Sequence, residues 1–403
     1  MNPICPKCKR WDPGKCKDSF CPVRAKISAH KQVLSSSKQD FFGKSPTVFV
    51  GRFGYPNVNV GFLSTEQYDN NDEPLLWSKE GYSIDRIVGL RSSLINSNFK
   101  SQVKTFNDRL VEMGREVGMA SKPVDTEISL TKKPSFALSM GAEVMPHGPN
   151  VKLKSARITE NPKIPIAVDK AVSDSGLKAG QALGELYRKS IDEHHLSRLL
   201  STGNLGVRAQ RKLVPTRWSI TAVDDTLGKK SISEIMDLPS HDLSVFFGGF
   251  LGNYYIVILF PDIWGYELFE THTGNDLNVR SSYMTDYENH NGRKEYAFDT
   301  AGGYYAARLG VLEYLKQKRR QASALLLRFI TDEYYLPLGV WVVREAVRKA
   351  MQSKPMVFDS RELALNYAKA LAKKNFGMDA GILIQKSLLL NEAKSQPKLS
   401  GYF

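Results

Sequence analysis

The first regular alternation of apolar and polar residues is "TVFVGRFGYPNVNVGFL", residues 47–63, in which two alternating stretches flank a loop with Gly51, Gly54 and Pro56. Side chains alternate faces along a strand, and glycine with proline marks a reversal, so the pattern predicts a hairpin. Arg52 and Tyr55 fall at the exposed tip of its loop. Residues 32–46 read as a linker into it. Apolar residues then recur at helical spacing. One helix is expected near 83–96 on Ile84, Ile87, Val88, Leu94 and Ile95, and another near 99–117 on Phe99, Val103, Phe106, Leu110, Met113 and Val117. Short strands near 126–130 and 163–168 and a helix near 177–200 lead to the turn-rich "STGNLG" at 201–206. "SITAV" reads as a strand, ended by an Asx-type turn at Asp224 and Asp225.

Strands dominate from 243 to about 298. The most apolar run, "VFFGGFLGNYYIVILF" at 245–260, has glycines and Asn253 in its middle and is rich in aromatic and β-branched residues, so it predicts two strands and not a membrane helix. From 299 the pattern becomes helix, strand, helix, helix, the last closed by Gly377. This part is expected to form a separate, mostly helical domain.

The 403 residues are 42% apolar and 24% charged, which is the composition of an ordinary folded protein of more than one domain. Lys and Arg outnumber Asp and Glu by 56 to 42, giving a net charge of +14. Such a chain attracts polyanions, nucleic acid first among them. The first twenty residues contain no apolar stretch of the kind a signal peptide needs, so a cytoplasmic protein with no membrane partner is expected.

All four cysteines, Cys5, Cys8, Cys16 and Cys21, lie near the start of the chain. The spacing C-x2-C, then C-x4-C across a "DPG" turn, lets four thiolates converge on one ion. Structural Zn²⁺ is the expected cofactor, and an iron–sulfur cluster is the alternative that spacing leaves open. Lys15 and Lys17 are among the basic residues around these sulfurs and are candidates for phosphate contacts.

Elsewhere the motifs are less specific. "TLGKKS" at 226–231 has Val223 where a phosphate loop requires glycine, and "GGFLG" at 248–252 lies between strands, so a hairpin is expected there. "DEHH" at 192–195 reads as a solvated helix end, because adjacent helical residues point about 100° apart. Asp224 and Asp225 at the end of a strand are weak catalytic candidates of the metal-binding kind. Arg211, Lys212, Arg217 and Trp218 just upstream, with Arg52 and Tyr55, are candidates for gripping phosphate and stacking on bases. Arg308, with Tyr304 and Tyr305, follows two glycines at an expected helix start, which is a favourable anion site. No catalytic triad, metalloprotease or deaminase motif appears, so no reaction is named.

The chain ends in "QPKLSGYF", where Leu399, Tyr402 and Phe403 stand at helical spacing and form an anchor suited to another protein's pocket. Together with "CPKC", "GRFGYPNVNVG" at 51–61 and "RKLVPTRWSITAVDDT" at 211–226, this tail resembles the archaeal Nre family of DNA-repair proteins. The resemblance implies an α+β protein with a zinc module at 1–31, an N-terminal Nre domain at 32–298, a C-terminal Nre domain at 299–392 and a flexible tail at 393–403. It also implies a role in the response to DNA damage. The tail is then a PIP box, with Gln396, Leu399, Tyr402 and Phe403 in its pattern and the sliding clamp PCNA as partner, alongside DNA. Two alternatives are an enzyme that processes nucleotides or nucleic-acid phosphates through residues 211–226, which leaves a nucleotide ligand open, and a basic RNA-binding protein.

Overall fold

Backbone hydrogen bonding divides the strands of this protein into a closed barrel and a separate six-stranded sheet. The computed structural model describes residues 38–135 and 147–395; the four cysteines, Lys15, Lys17 and the terminal residues 396–403 lie outside the described residues. The chain forms two compact units, Met1–Thr226 with Tyr335–Leu338, and Leu227–Tyr334 with Gly339–Phe403. The division between units therefore falls at 226/227, whereas the expected family segments meet at 298/299.

The first unit contains β1 (Asp40–Val50), β2 (Asn57–Thr65), α1 (Pro74–Lys79), α2 (Ile84–Ser92), β3 (Ile95–Gln102), α3 (Arg109–Met119), β4 (Val124–Leu130), β5 (Asn150–Ile158), α4 (Ile166–Ser173), α5 (Ala179–Arg188) and α6 (Glu193–Ser201). Its five strands close in the order β1-β2-β3-β5-β4. β1 pairs with β4 from Asp40 to Ser45 and with β2 from Thr47 to Val50, and its register with β2 shifts between Lys44 and Thr47. Close to that shift, a Cβ on Gly43 would lie 2.4 Å from the Thr65 carbonyl oxygen, so only glycine fits. β3 and β5 pair in parallel, the other neighbours antiparallel, and α3 lies in the connection from β3 to β4. This is the topology of the OB-fold, a five-stranded Greek-key barrel. Val48, Val50, Val58, Val60 and Phe62 point inward and pack with Val111 and Val117 of α3.

The expected hairpin at 47–63 is present as β1 and β2. Three neighbouring expectations need correction. The helix expected near 83–96 stops at Ser92, and Phe99, expected in the next helix, lies in β3 and stacks on Phe62. Residues 99–106 have apolar positions that suit a helix, but β2 offers a free ladder of backbone groups that β3 satisfies. The helix itself begins at Arg109, where Asp108 accepts hydrogen bonds from the amides of Leu110 and Val111. The strand expected near 163–168 is instead a loop at 163–165 and the first turn of α4, whereas β5, unforeseen, supplies the fifth strand.

A further correction concerns "SITAV". Helix α7 (Thr216–Ile235) runs straight through it, placing Asp224 and Asp225 in mid-helix instead of in an Asx turn after a strand. The β-branched Ile220, Thr221 and Val223 favour a strand locally. Burial of Ser219, Val223, Leu227 and Ser231 at four-residue spacing shows which period prevails.

The second unit contains β6 (Ser244–Phe250), β7 (Asn253–Phe260), β8 (Gly265–His272), β9 (Tyr283–Glu288), α8 (Gly302–Lys318), β10 (Ser323–Ile330), α9 (Trp341–Gln352), β11 (Met356–Val357), α10 (Arg361–Phe376), α11 (Gly381–Gln385) and α12 (Leu388–Ser395). The sheet order is β11-β6-β7-β10-β8-β9. One face packs against α8 and α9 through Tyr255, Val257, Leu326, Ala306 and Ala346, and the other against α10 and α11 through Ile256, Ile258, Leu327, Ala368 and Leu383. The C-terminal part is therefore not mostly helical. β10, "SALLLRFI", lies between β7 and β8, and its nearly continuous apolar run reflects burial on both sides. The expected hairpin at "GGFLG" joins β6 to β7, with Leu251 and Gly252 at positive φ. Among the described residues no helix is long and apolar enough to cross a membrane.

Candidate nucleic-acid interface

Residues 51–56 form the loop between β1 and β2, and their backbone is held at both ends. Gly51 N–H bonds to Asn59 O at 2.8 Å, and Val103 N–H, just past β3, bonds to Pro56 O at 3.0 Å. Leu213 N–H in turn bonds to Val103 O at 2.8 Å, which carries the 211–218 stretch alongside the loop. Val50 N–H donates to the Thr216 hydroxyl at 2.9 Å at the start of α7. These bonds bring together side chains that are far apart in sequence. The Tyr55 and Trp218 rings lie 5.2 Å apart between centroids, and Lys212 Nζ is 3.4 Å from the Tyr55 hydroxyl.

The rings are left in solvent: Phe53 is 76% exposed, Trp218 45% and Tyr55 41%. Arg52 lies over the Phe53 ring at 5.0 Å, and Lys212 and Arg217 are exposed. In proteins that bind unpaired bases, exposed rings of this kind contribute roughly 1–3 kcal/mol per stacked base. Phe53 was missed by sequence reasoning, although it lies between Arg52 and Tyr55 in the loop.

The other predicted residues fare differently. Arg211 is half-buried, donating from Nε to Gly206 O at 2.7 Å and from Nη2 to Asp174 O at 3.0 Å. Burial first, then the charges of Arg115 and Arg208, hold its guanidinium below the ordinary value, so this corner of the unit carries an excess of positive charge. Arg308 has no exposed surface and pairs with Glu288 at 2.7 Å, so it is part of the core of the second unit and not an accessible phosphate site. Asp224 is likewise fully buried.

The "DEHH" stretch is not a solvated helix end. Asp192 caps α6 by accepting from His195 N–H at 2.9 Å, and Glu193 and His195 are buried. His194 Nε2 lies 3.3 Å from Asp72 Oδ2, and Arg91 binds the other oxygen of the same buried carboxylate. Arg198 donates to Pro46 O at 2.5 Å and Ala120 O at 2.7 Å. Asp72, Asp192, His194, His195 and Arg198 border a cavity of about 70 Å³. Burial disfavours the charged Asp72 carboxylate, but Arg91, His194 and Arg198 outweigh it and hold the carboxyl well below its usual range. Burial likewise disfavours the His194 imidazolium, yet Asp72 and Asp192 raise it above an ordinary histidine. His195 is pushed down to about 4, by burial and then by Arg198, so it is neutral at pH 7 and donates from Nε2 to Met119 O. Nothing in the local sequence announces Asp72 or Arg91, because they reach His194 only through the fold. Among the described residues no cluster of His, Cys, Asp or Glu is arranged to hold a metal ion.

A family model described as archaeal Nre, N-terminal, matches residues 15–277, and one described as archaeal Nre, C-terminal, matches residues 288–402. The chain is 40% identical over 327 residues to DNA repair protein NreA of Haloferax volcanii, covering 77% of this chain and 78% of that one. It is 38% identical over 374 residues to DNA repair protein NreA of Archaeoglobus fulgidus, with 90% and 92% covered, and 35% identical over 395 residues to DNA repair protein NreB of the same organism, with 94% and 96% covered. No solved structure matches.

The buried carboxylate yields a prediction. Asp72→Ala leaves Arg91 buried without its counter-ion and should lower stability by about 3–5 kcal/mol, measured by denaturant unfolding at pH 7. The part due to His194 is fully present below the ordinary histidine value and is lost as pH rises through its raised value. The deficit should therefore be larger at pH 6 than at pH 9, and a deficit under 1 kcal/mol at both would show the pair to be dispensable.

Proposed function

The chain belongs to the archaeal Nre family, and on that premise we propose that it is a DNA-repair protein that binds DNA through the basic aromatic tip of its barrel and meets the sliding clamp PCNA through its terminal PIP box. The observation that carries the DNA-binding part is the convergence of Tyr55, Lys212 and Trp218 on one exposed surface, from segments about 160 residues apart. Cations at that surface neutralise phosphates while the rings face outward.

The basic cysteine-rich segment at the start of the chain supplies further candidate phosphate contacts. Cys5, Cys8, Cys16 and Cys21 would hold the Zn²⁺, and four thiolate ligands would leave the ion no open position for chemistry, so its role would be structural. Lys15 and Lys17 lie between the second and fourth of these ligands. At the other end, the tail follows directly on α12, whose first amides, Leu388 N–H and Leu389 N–H, bond to Glu267 of β8 at 3.0 and 3.2 Å. Beyond this anchored helix, Gln396, Leu399, Tyr402 and Phe403 supply the hydrogen-bonding side chain and apolar anchors of the clamp-binding peptide. The alternative, a phosphate-processing enzyme built on residues 211–226, is weakened by Asp224 and Asp225, which sit side by side in a helix with Asp224 buried and form no strand-end carboxylate pair.

Three measurements test this reading. Alanine at Lys15, Lys17 and Lys212 should weaken DNA binding and flatten the dependence of log affinity on log salt by roughly 0.7–0.9 per phosphate contact removed; an unchanged slope would remove these lysines from the interface. Elemental analysis of reduced protein should find one zinc per chain, lost in Cys8→Ser, whereas iron would replace the zinc assignment by a cluster. Calorimetry with PCNA should show micromolar-order binding that vanishes in Tyr402→Ala/Phe403→Ala while the melting temperature holds, and clamp binding that survives this change would discard the PIP box.

A further inference from the structure

The outer surface of the barrel is divided by charge. On β2 and β3, the cross-strand pairs Asn57–Gln102 and Asn59–Lys100 point outward, opposite the inward Val58 and Val60. The next strand in the order, β5, is paired in parallel to β3 through Asn98 and Lys152, and exposes Lys152 and Lys154. The carboxylates lie elsewhere: Asp40 on β1, and Asp125 and Glu127 on β4, where Lys44 and Arg157 neutralise the last two. Lys100, Lys152 and Lys154 form no ion pair among the described residues. The side-chain amides of Asn57, Asn59 and Gln102 likewise make no hydrogen bond there. Among the described residues, three ammonium groups without an ion pair thus accompany three amides without a hydrogen bond on one face.

One end of this face runs into the 51–56 loop, since the Asn57–Gln102 pair adjoins the Pro56–Val103 hydrogen bond. There the surface changes from amides and lysines to the exposed rings of Phe53, Tyr55 and Trp218. Lysines suit phosphates, amides suit the hydrogen-bonding edges of bases, and rings suit base faces. A duplex hides its base faces by stacking, whereas a single strand presents them. In OB barrels generally, the strand 2–3 face and the loop between strands 1 and 2 are the surfaces that take oligonucleotides.

We propose that the outer face of β2, β3 and β5, ending on the 51–56 loop, is a track for single-stranded DNA. This rests on the DNA-binding reading above and narrows it to unpaired strands, with the bases stacked on Phe53 and Tyr55 and the backbone led along Lys100 and Lys152. The repair role of the family favours DNA over RNA as the strand.

The test uses the full chain with a 15-nucleotide oligothymidylate, the matching oligouridylate and a duplex of equal length, all at one salt concentration. The oligothymidylate should bind at least tenfold more tightly than the duplex. Phe53→Ala and Tyr55→Ala should each cost roughly tenfold in that affinity, within the range for one lost stacking contact, and leave duplex binding as it was. Lys100→Ala/Lys152→Ala should flatten the single-strand salt slope by roughly 0.7 per contact. These two lysines are exposed on strands, so this variant decides the question even if a loop variant fails to fold. Equal affinity for duplex and single strand, or an unchanged slope in the lysine variant with DNA binding retained, would overturn the track and leave the DNA-binding reading standing. Tighter binding of oligouridylate would assign the face to RNA and overturn it too. Absence of binding to all three would overturn both readings together.

Discussion

The backbone groups of β1 are shared between β4, along its first half, and β2, along its second, and this division closes the barrel. A strand with one partner leaves a whole edge that must be covered or charged; a strand that changes partner midway joins both neighbours into one barrel and leaves only half of each edge to be satisfied elsewhere, as Val50 N–H is by the Thr216 hydroxyl, but it must bend at the change. The register shift after Lys44 supplies the bend, and Gly43 admits the Thr65 carbonyl where any side chain would collide. The exit of β1 at Val50 then sets where the 51–56 loop emerges. The exposed rings and the lysine-bearing face depend on this one strand.

Charge is treated in opposite ways in the interior and on that face. Inside, several buried ions have close partners of opposite charge: Asp72 with Arg91 and His194, Glu288 with Arg308, Glu270 with Arg328. Such pairs recover little net stability, because desolvation offsets their attraction, but breaking one leaves a charge stranded. They hold segments in register more than they strengthen the fold. On the outer face of the barrel the lysines stay in water, where an unpaired ammonium costs nothing and remains available to a polyanion.

Helical period and turn chemistry were legible wherever a segment's own burial decides its structure. The hairpin at 47–63, the two strands either side of "GGFLG", and the helix ended by Gly377 at φ 69° all stand as expected. That Tyr55, Lys212, Arg217 and Trp218 would lie at the surface was legible, since basic residues interleaved with aromatic ones in short polar stretches are placed in solvent. Errors came where tertiary partners outweigh local preference. "SITAV" has the residues of a strand but buries at helical spacing within α7, and Phe99 has helical spacing but completes a ladder beside β2.

The sequence by itself determined the positive balance, the thiol cluster, the aromatic tail and the residues of the loop, because these are properties of composition and short spacing. Only the tertiary structure decided that Trp218 stands against Tyr55, that Asp72 and Arg91 enclose His194, that Arg308 is buried, and that the lysines of β3 and β5 share one face of the barrel. Those facts belong to strand order and register. They arise when backbone groups from distant segments satisfy one another, and no local pattern encodes which distant segment will answer.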